Sequence, residues 1–105
     1  MNDDTPLFIH RQNLREIGFT QPDKIFLPIL EKINQQVAHT IDREVRMNIK
    51  PEMLPEYLEL LGQHPISSPI AQRWLKQHVP DIDSITTDRI NIALADAQLN
   101  RKISE

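Results

Sequence analysis

No cysteine occurs among the 105 residues. That absence removes disulfides, thiolate metal sites and cysteine nucleophiles together, and it is compatible with a reducing compartment. Glycine is scarce, two residues against eight prolines, and neither glycine sits in a phosphate loop or dinucleotide fingerprint. Five aromatics (Phe8, Phe19, Phe26, Tyr57 and Trp74) leave leucine and isoleucine to fill a core. No apolar run approaches the roughly 20 residues that cross a bilayer. Positive charge is also short: the formal net charge is −3, against the basic face that bulk nucleic-acid binding uses. The segment Met1, Asn2, Asp3, Asp4, Thr5 is polar and acidic, without the basic start and apolar run of a secretory signal. A cytoplasmic protein is expected, with residues 1–6 as a flexible lead into one domain.

What is present is proline, placed where helices begin. Pro6, Pro22, Pro51 and Pro69 read as helix starts, because proline's missing N–H is unpaired there in any case and its φ is already set. The first segment is short. Thr5 and Pro6 can start a turn, Leu14 and Ile17 share a face, and Gly18 suits the position just past a helix end. Leu7, Phe8 and Ile9 read alternatively as an extended arm. In the second segment Thr20 can cap, Pro22 can open and Asp23 complements the helix dipole. Phe26, Leu30, Ile33, Val37, Ile41 and Val45 then recur every three or four residues, the period of an amphipathic helix. Pro28 is expected to kink it or to mark where the regular part starts.

The third helix is expected from Pro51 to Leu61, with Met53, Leu54, Tyr57, Leu58 and Leu61 inward and Gly62 as terminator. The fourth begins at Ser67 or Ser68 with Pro69 in first position, turns Ile70, Ala71, Trp74 and Leu75 inward, and stops before Pro80. The fifth runs from Asp83 or Ser84 to about Lys102. It has two apolar faces: Ile85, Ile92, Leu99 and Ile103 on one, Ile90, Leu94 and Ala97 on the other. One face can join the core, and the second then needs a partner. No alternating β-branched run or Asn-Gly hairpin signals a strand. The expected fold is all-α, a small irregular or orthogonal bundle of four to five helices.

The order of these elements resembles a family of short bacterial all-helical domains. The resemblance runs from about Leu14 to Leu99. It rests on Leu14 to Phe19, the long helix ending near Arg43, Glu44 and Val45, the segment Pro51 to Leu61, and Trp74 and Leu75 closed by Val79, Pro80 and Asp81. It implies a helical fold and no activity, cofactor or site residue.

Chemistry-bearing residues are dispersed. His10, His39, His64 and His78 fall on separate elements, and no pair has metal-ligand spacing. His78, in the last turn of its helix, is expected to bond free carbonyls. Ser67, Ser68 and Ser84 read as caps, with no nucleophile elbow. No cofactor or metal is implied. Glu44 is the oddity: it projects with Val37 and Ile41 on the apolar face, where a carboxylate needs a partner or a raised pKa. The simpler outcome is that it reaches water or an arginine such as Arg46. Arg43 and Arg46, and Arg73 and Lys76, form two small basic groups that can hold phosphate or acid. The 62–68 connection is too long for a helix-turn-helix between the third and fourth helices. Trp74 belongs with the core rather than an interface hot spot. The functional expectation is a non-enzymatic protein-interaction module, self-associating through residues 84–103. The alternative is a nucleic-acid-associated regulator using the basic groups.

Overall fold

The structure, a computed structural model, describes the backbone of residues 7–104 and the side chains of residues 7–100. Five α-helices run in chain order: α1 Arg11–Glu16, α2 Asp23–Asn48, α3 Leu54–Gln63, α4 Pro69–His78 and α5 Ile82–Ser104. A 3-10 turn, Pro51–Met53, precedes α3, and no strand occurs among the described residues. The molecule is a small all-α bundle. The expected start at Thr5 and Pro6, the flexible segment 1–6 and the side chain of Ile103 lie outside the described residues.

Leu7, Phe8 and Ile9 form neither a helical turn nor the extended arm: the chain bends at Phe8 and Ile9, and one side chain of α2 explains why. Asn34 Oδ1 accepts from the backbone N–H of Phe8 and Ile9 at 3.0 and 2.9 Å, and its Nδ2 donates to Ile9 O at 2.9 Å. A segment without helical hydrogen bonds thus pairs its backbone with an amide side chain. Helix α1 starts at Arg11, where Asn13 Oδ1 accepts from His10 N at 2.7 Å. It ends in a Schellman motif: Gly18 N donates to Arg15 O and Phe19 N to Leu14 O, with Gly18 at φ 106°. Arg15 secures that turn. Its Nη1 donates to Phe19 O and Gln21 O at 3.1 and 3.0 Å, and its guanidinium lies 4.0 Å over the Phe26 ring.

Helix α2 is the spine. The stripe Phe26, Leu30, Ile33, Val37, Ile41 and Val45 is buried as the periodicity predicts. Pro22 is the N-cap residue rather than the first helical one, so Thr20 does not cap. Pro28, the sixth residue of the helix, lies inside it, and the helix continues through it without the bond its N–H would make to Lys24 O.

The third helix differs from expectation. Pro51 opens the 3-10 turn, α3 begins at Leu54, and Gly62 sits inside the helix instead of closing it. Only Tyr57 of its apolar face is fully buried. Met53, Leu54 and Leu61 are half-buried and Leu58 is exposed. In α4, Ser68 Oγ accepts from Ala71 N at 3.2 Å as N-cap, with Pro69 in first position. Ala71 and Leu75 are buried and Trp74 is half-buried, but Ile70 is exposed, not inward. Val79, before Pro80, is extended and ends the helix. Helix α5 begins at Ile82, before the expected Asp83 or Ser84, so Ser84 lies inside the helix and does not cap it, and Ile82 is buried in the core.

Candidate interaction face

Helices α2 and α5 are the main helix pair and run antiparallel. Glu44, late in α2, meets Arg89, early in α5, at 2.9 Å between Oε1 and Nη2. Glu44 therefore does find an arginine, but Arg89 rather than Arg46, which turns to Asp42 at 3.0 and 3.1 Å. Both members of the Glu44–Arg89 pair are about one-third exposed, so the pair fixes the register of the two helices more than it stabilises them.

Alongside this pair lies an open groove of about 860 Å³. Ile29, Ile33 and Thr40 of α2 form one wall, Ile92, Ala93 and Ala97 of α5 the other, and Phe19 lies at one end. Lys32, Gln36, Asp96 and Asn100 supply polar edges. The two faces of α5 are now distinguishable. Ile90, Leu94 and Ala97 pack on the core. Ile92 and Leu99 are 50 % and 57 % exposed. Ile85 departs from the expected grouping: it packs against the core cluster rather than standing free with Ile92 and Leu99. On α2, Ile25 is 53 % exposed and Met47 74 %. Ile25, Ile29, Lys32, Gln36, Thr40, Arg43 and Met47 follow one another at three- and four-residue spacing, one row along the helix. Of the six large apolar side chains exposed among the described residues, four lie on α2 and α5; Ile92 lines the groove, and Ile25, Met47 and Leu99 continue the helix rows beside it.

The opposite side of α2 carries a second cluster. The Tyr57 hydroxyl donates to Asp42 Oδ1 at 2.6 Å, and Arg46 lies 5.9 Å over the Tyr57 ring. Burial first, then the bond to Asp42 and its negative charge, raise the phenol's pKa well above the ordinary value. Trp74 stacks on Tyr57, with centroids 5.7 Å apart, and donates Nε1–H to Glu56 at 3.2 Å. His78 packs its ring on Trp74 at 4.2 Å rather than on the helix-end carbonyls. This column joins α2, α3 and α4 through side chains that already satisfy one another.

The basic residues divide. Arg43 lies in the groove-side row, Arg46 is held by Asp42 beneath Tyr57, and Arg73 and Lys76 are exposed on α4. Among the described residues no three His, Asp or Glu side chains converge on a common point, and no helix is long and apolar enough to cross a membrane. Tyr57–Asp42 and the charge pattern of the groove rows were not anticipated from sequence. Both depend on which helices become neighbours, and only the spacing of Asp42, Arg46 and Tyr57 on adjacent segments hinted at the first. No family model matches the chain, and neither a curated protein nor a solved structure matches it.

Proposed function

We propose that the chain acts without catalytic chemistry, as a helical interaction module that docks an apolar helical surface on its α2–α5 face. One observation carries this reading: the groove between the two longest helices is walled by Ile29, Ile33, Ile92, Ala93 and Ala97, with Ile92 half exposed, and Ile25, Met47 and Leu99, each more than half exposed, continue the helix rows beside it. Contiguous exposed apolar surface is costly in water and is characteristic of a face that is covered in use. A cysteine-free chain offers a clean test, since Ile92→Cys creates a single thiol. Its alkylation rate in an extract of the native host is expected to fall well below that of the dilute purified protein, while a Glu59→Cys control on α3 reacts equally in both. Equal reactivity of the thiol at position 92 in both settings contradicts docking. The nucleic-acid reading has less support, because Arg46 is already committed to Asp42. Salt-sensitive binding of nucleic acid that weakens on neutralising Arg43, Arg73 and Lys76 would revive it.

A further inference from the structure

The exposed charges of the α2–α5 face are segregated by helix. The α2 row carries Lys32 and Arg43, with His39 beside it. The α5 row carries Asp88 and Asp96 next to Ile92 and Leu99. Lys32, Arg43, Asp88 and Asp96 are all exposed, and none has an ionic partner among the described residues. Among the described side chains, the one arginine on the groove side of α5, Arg89, is taken by Glu44. Among the described side chains one edge of the face is therefore basic and the other acidic, with apolar side chains along both.

Such a face is complementary to itself. We infer that its partner is a second copy of this chain, the two α2–α5 pairs closing a four-helix arrangement about a two-fold axis parallel to the helices. This rests on the docking reading above and names its occupant. The axis places α2 of one copy beside α5 of the other at unchanged height. Because Glu44 is level with Arg89, Arg43 then lies about half a turn from Asp88 of the second copy. Lys32 and His39 flank its Asp96. Among the apolar residues, Met47 falls in the same register beside the partly exposed Ile85 of the second copy. The alternative two-fold, with α2 on α2 and α5 on α5, sets like charges against each other and is disfavoured.

Size and shape agree. The molecule measures 47 × 25 × 16 Å, thin along one axis, and its radius of gyration of 14.9 Å exceeds the roughly 13 Å usual for this length. In this register the helices overlap over about 30 Å, and with about 20 Å of paired width the face offers on the order of 600 Å² per copy, the low end of the roughly 600–1,000 Å² per partner of a standard interface.

The test uses the full chain and two exposed double variants, Lys32→Glu with Arg43→Glu and Asp88→Lys with Asp96→Lys. Sedimentation equilibrium of the unaltered protein is expected to show a concentration-dependent rise to twice the 12.2 kDa chain mass. Each double variant alone makes both edges the same sign, and its dimer is expected to weaken by about tenfold or more. Mixed one to one, the variants regain opposite edges and are expected to form a heterodimer. Helical circular dichroism and Trp74 fluorescence confirm that each is folded. A monomeric unaltered chain at every accessible concentration overturns the inference, as do variants that dimerise undiminished or a mixture that stays monomeric. If the chain is monomeric yet the thiol at position 92 is protected in host extract, the second copy is excluded and docking survives. Reactivity equal in both settings removes docking itself.

Discussion

The phenol of Tyr57 sits at a junction of three helices, fully buried, and donates to a carboxylate that Arg46 also holds. Tyr57→Phe keeps the ring against Trp74 but leaves Asp42 with one partner fewer. It is expected to cost about 2 kcal/mol in urea unfolding, as for hydrogen bonds to charged groups. Because the folded state holds this phenol neutral, with its pKa raised above the unfolded value, its contribution is intact below about pH 10 and is lost as pH rises beyond that. The unaltered chain should therefore lose more stability than Tyr57→Phe between about pH 8 and pH 11; parallel losses would show that another group governs the alkaline limit. Thr86 presents the converse case. Its hydroxyl is buried without a hydrogen-bond partner. Thr86→Val keeps the shape and removes that desolvated group, so a thermal melt should shift upward, by up to about 1 kcal/mol in stability.

Two glycines that look alike in sequence behave oppositely in the helices they occupy. Gly18 completes a Schellman turn at φ 106°, where a side chain is strained, and Gly18→Ala is expected to cost about 1–2 kcal/mol. Gly62 lies within α3, and a Cβ there would meet nothing within 4 Å. Gly62→Ala is expected to stabilise by about 0.5–1 kcal/mol in chemical denaturation. The sequence marks Gly62 as a terminator as well, since a glycine after an apolar residue states no φ. The α2 stripe was readable because one helix with one buried face repeats its own signal six times. Gly18 was readable because Leu14 and Ile17 end their pattern just before it. Ile85 was not: on a regular helix it points within about 20° of Ile92, and its packing on the core, not its spacing, separates them. Nor could the sequence rank Arg89 above Arg46 for Glu44, because the partner lies 45 residues away on another helix. Ser68, by contrast, was legible as a cap, and Ser68→Ala should cost about 1 kcal/mol.

The whole molecule is organised about one antiparallel pair. Short elements cover one side of α2: the bend pinned by Asn34, the α1 turn clamped by Arg15, and the Tyr57–Trp74–His78 column. The other side leaves a groove with apolar walls and oppositely charged edges. The surplus apolar face of the last helix was visible in its sequence. Its pairing with the exposed residues of α2 was not, because a row spread over two helices exists only once they are docked. This face is expected to close on a second copy of the chain. Sedimentation equilibrium of the two charge-reversed double variants, apart and mixed, tests this most directly. Each variant alone is expected to be monomeric at concentrations where the unaltered chain dimerises, and the two to form a one-to-one heterodimer on mixing. An unaltered chain that never exceeds its monomer mass, or variants that dimerise as it does, would contradict it.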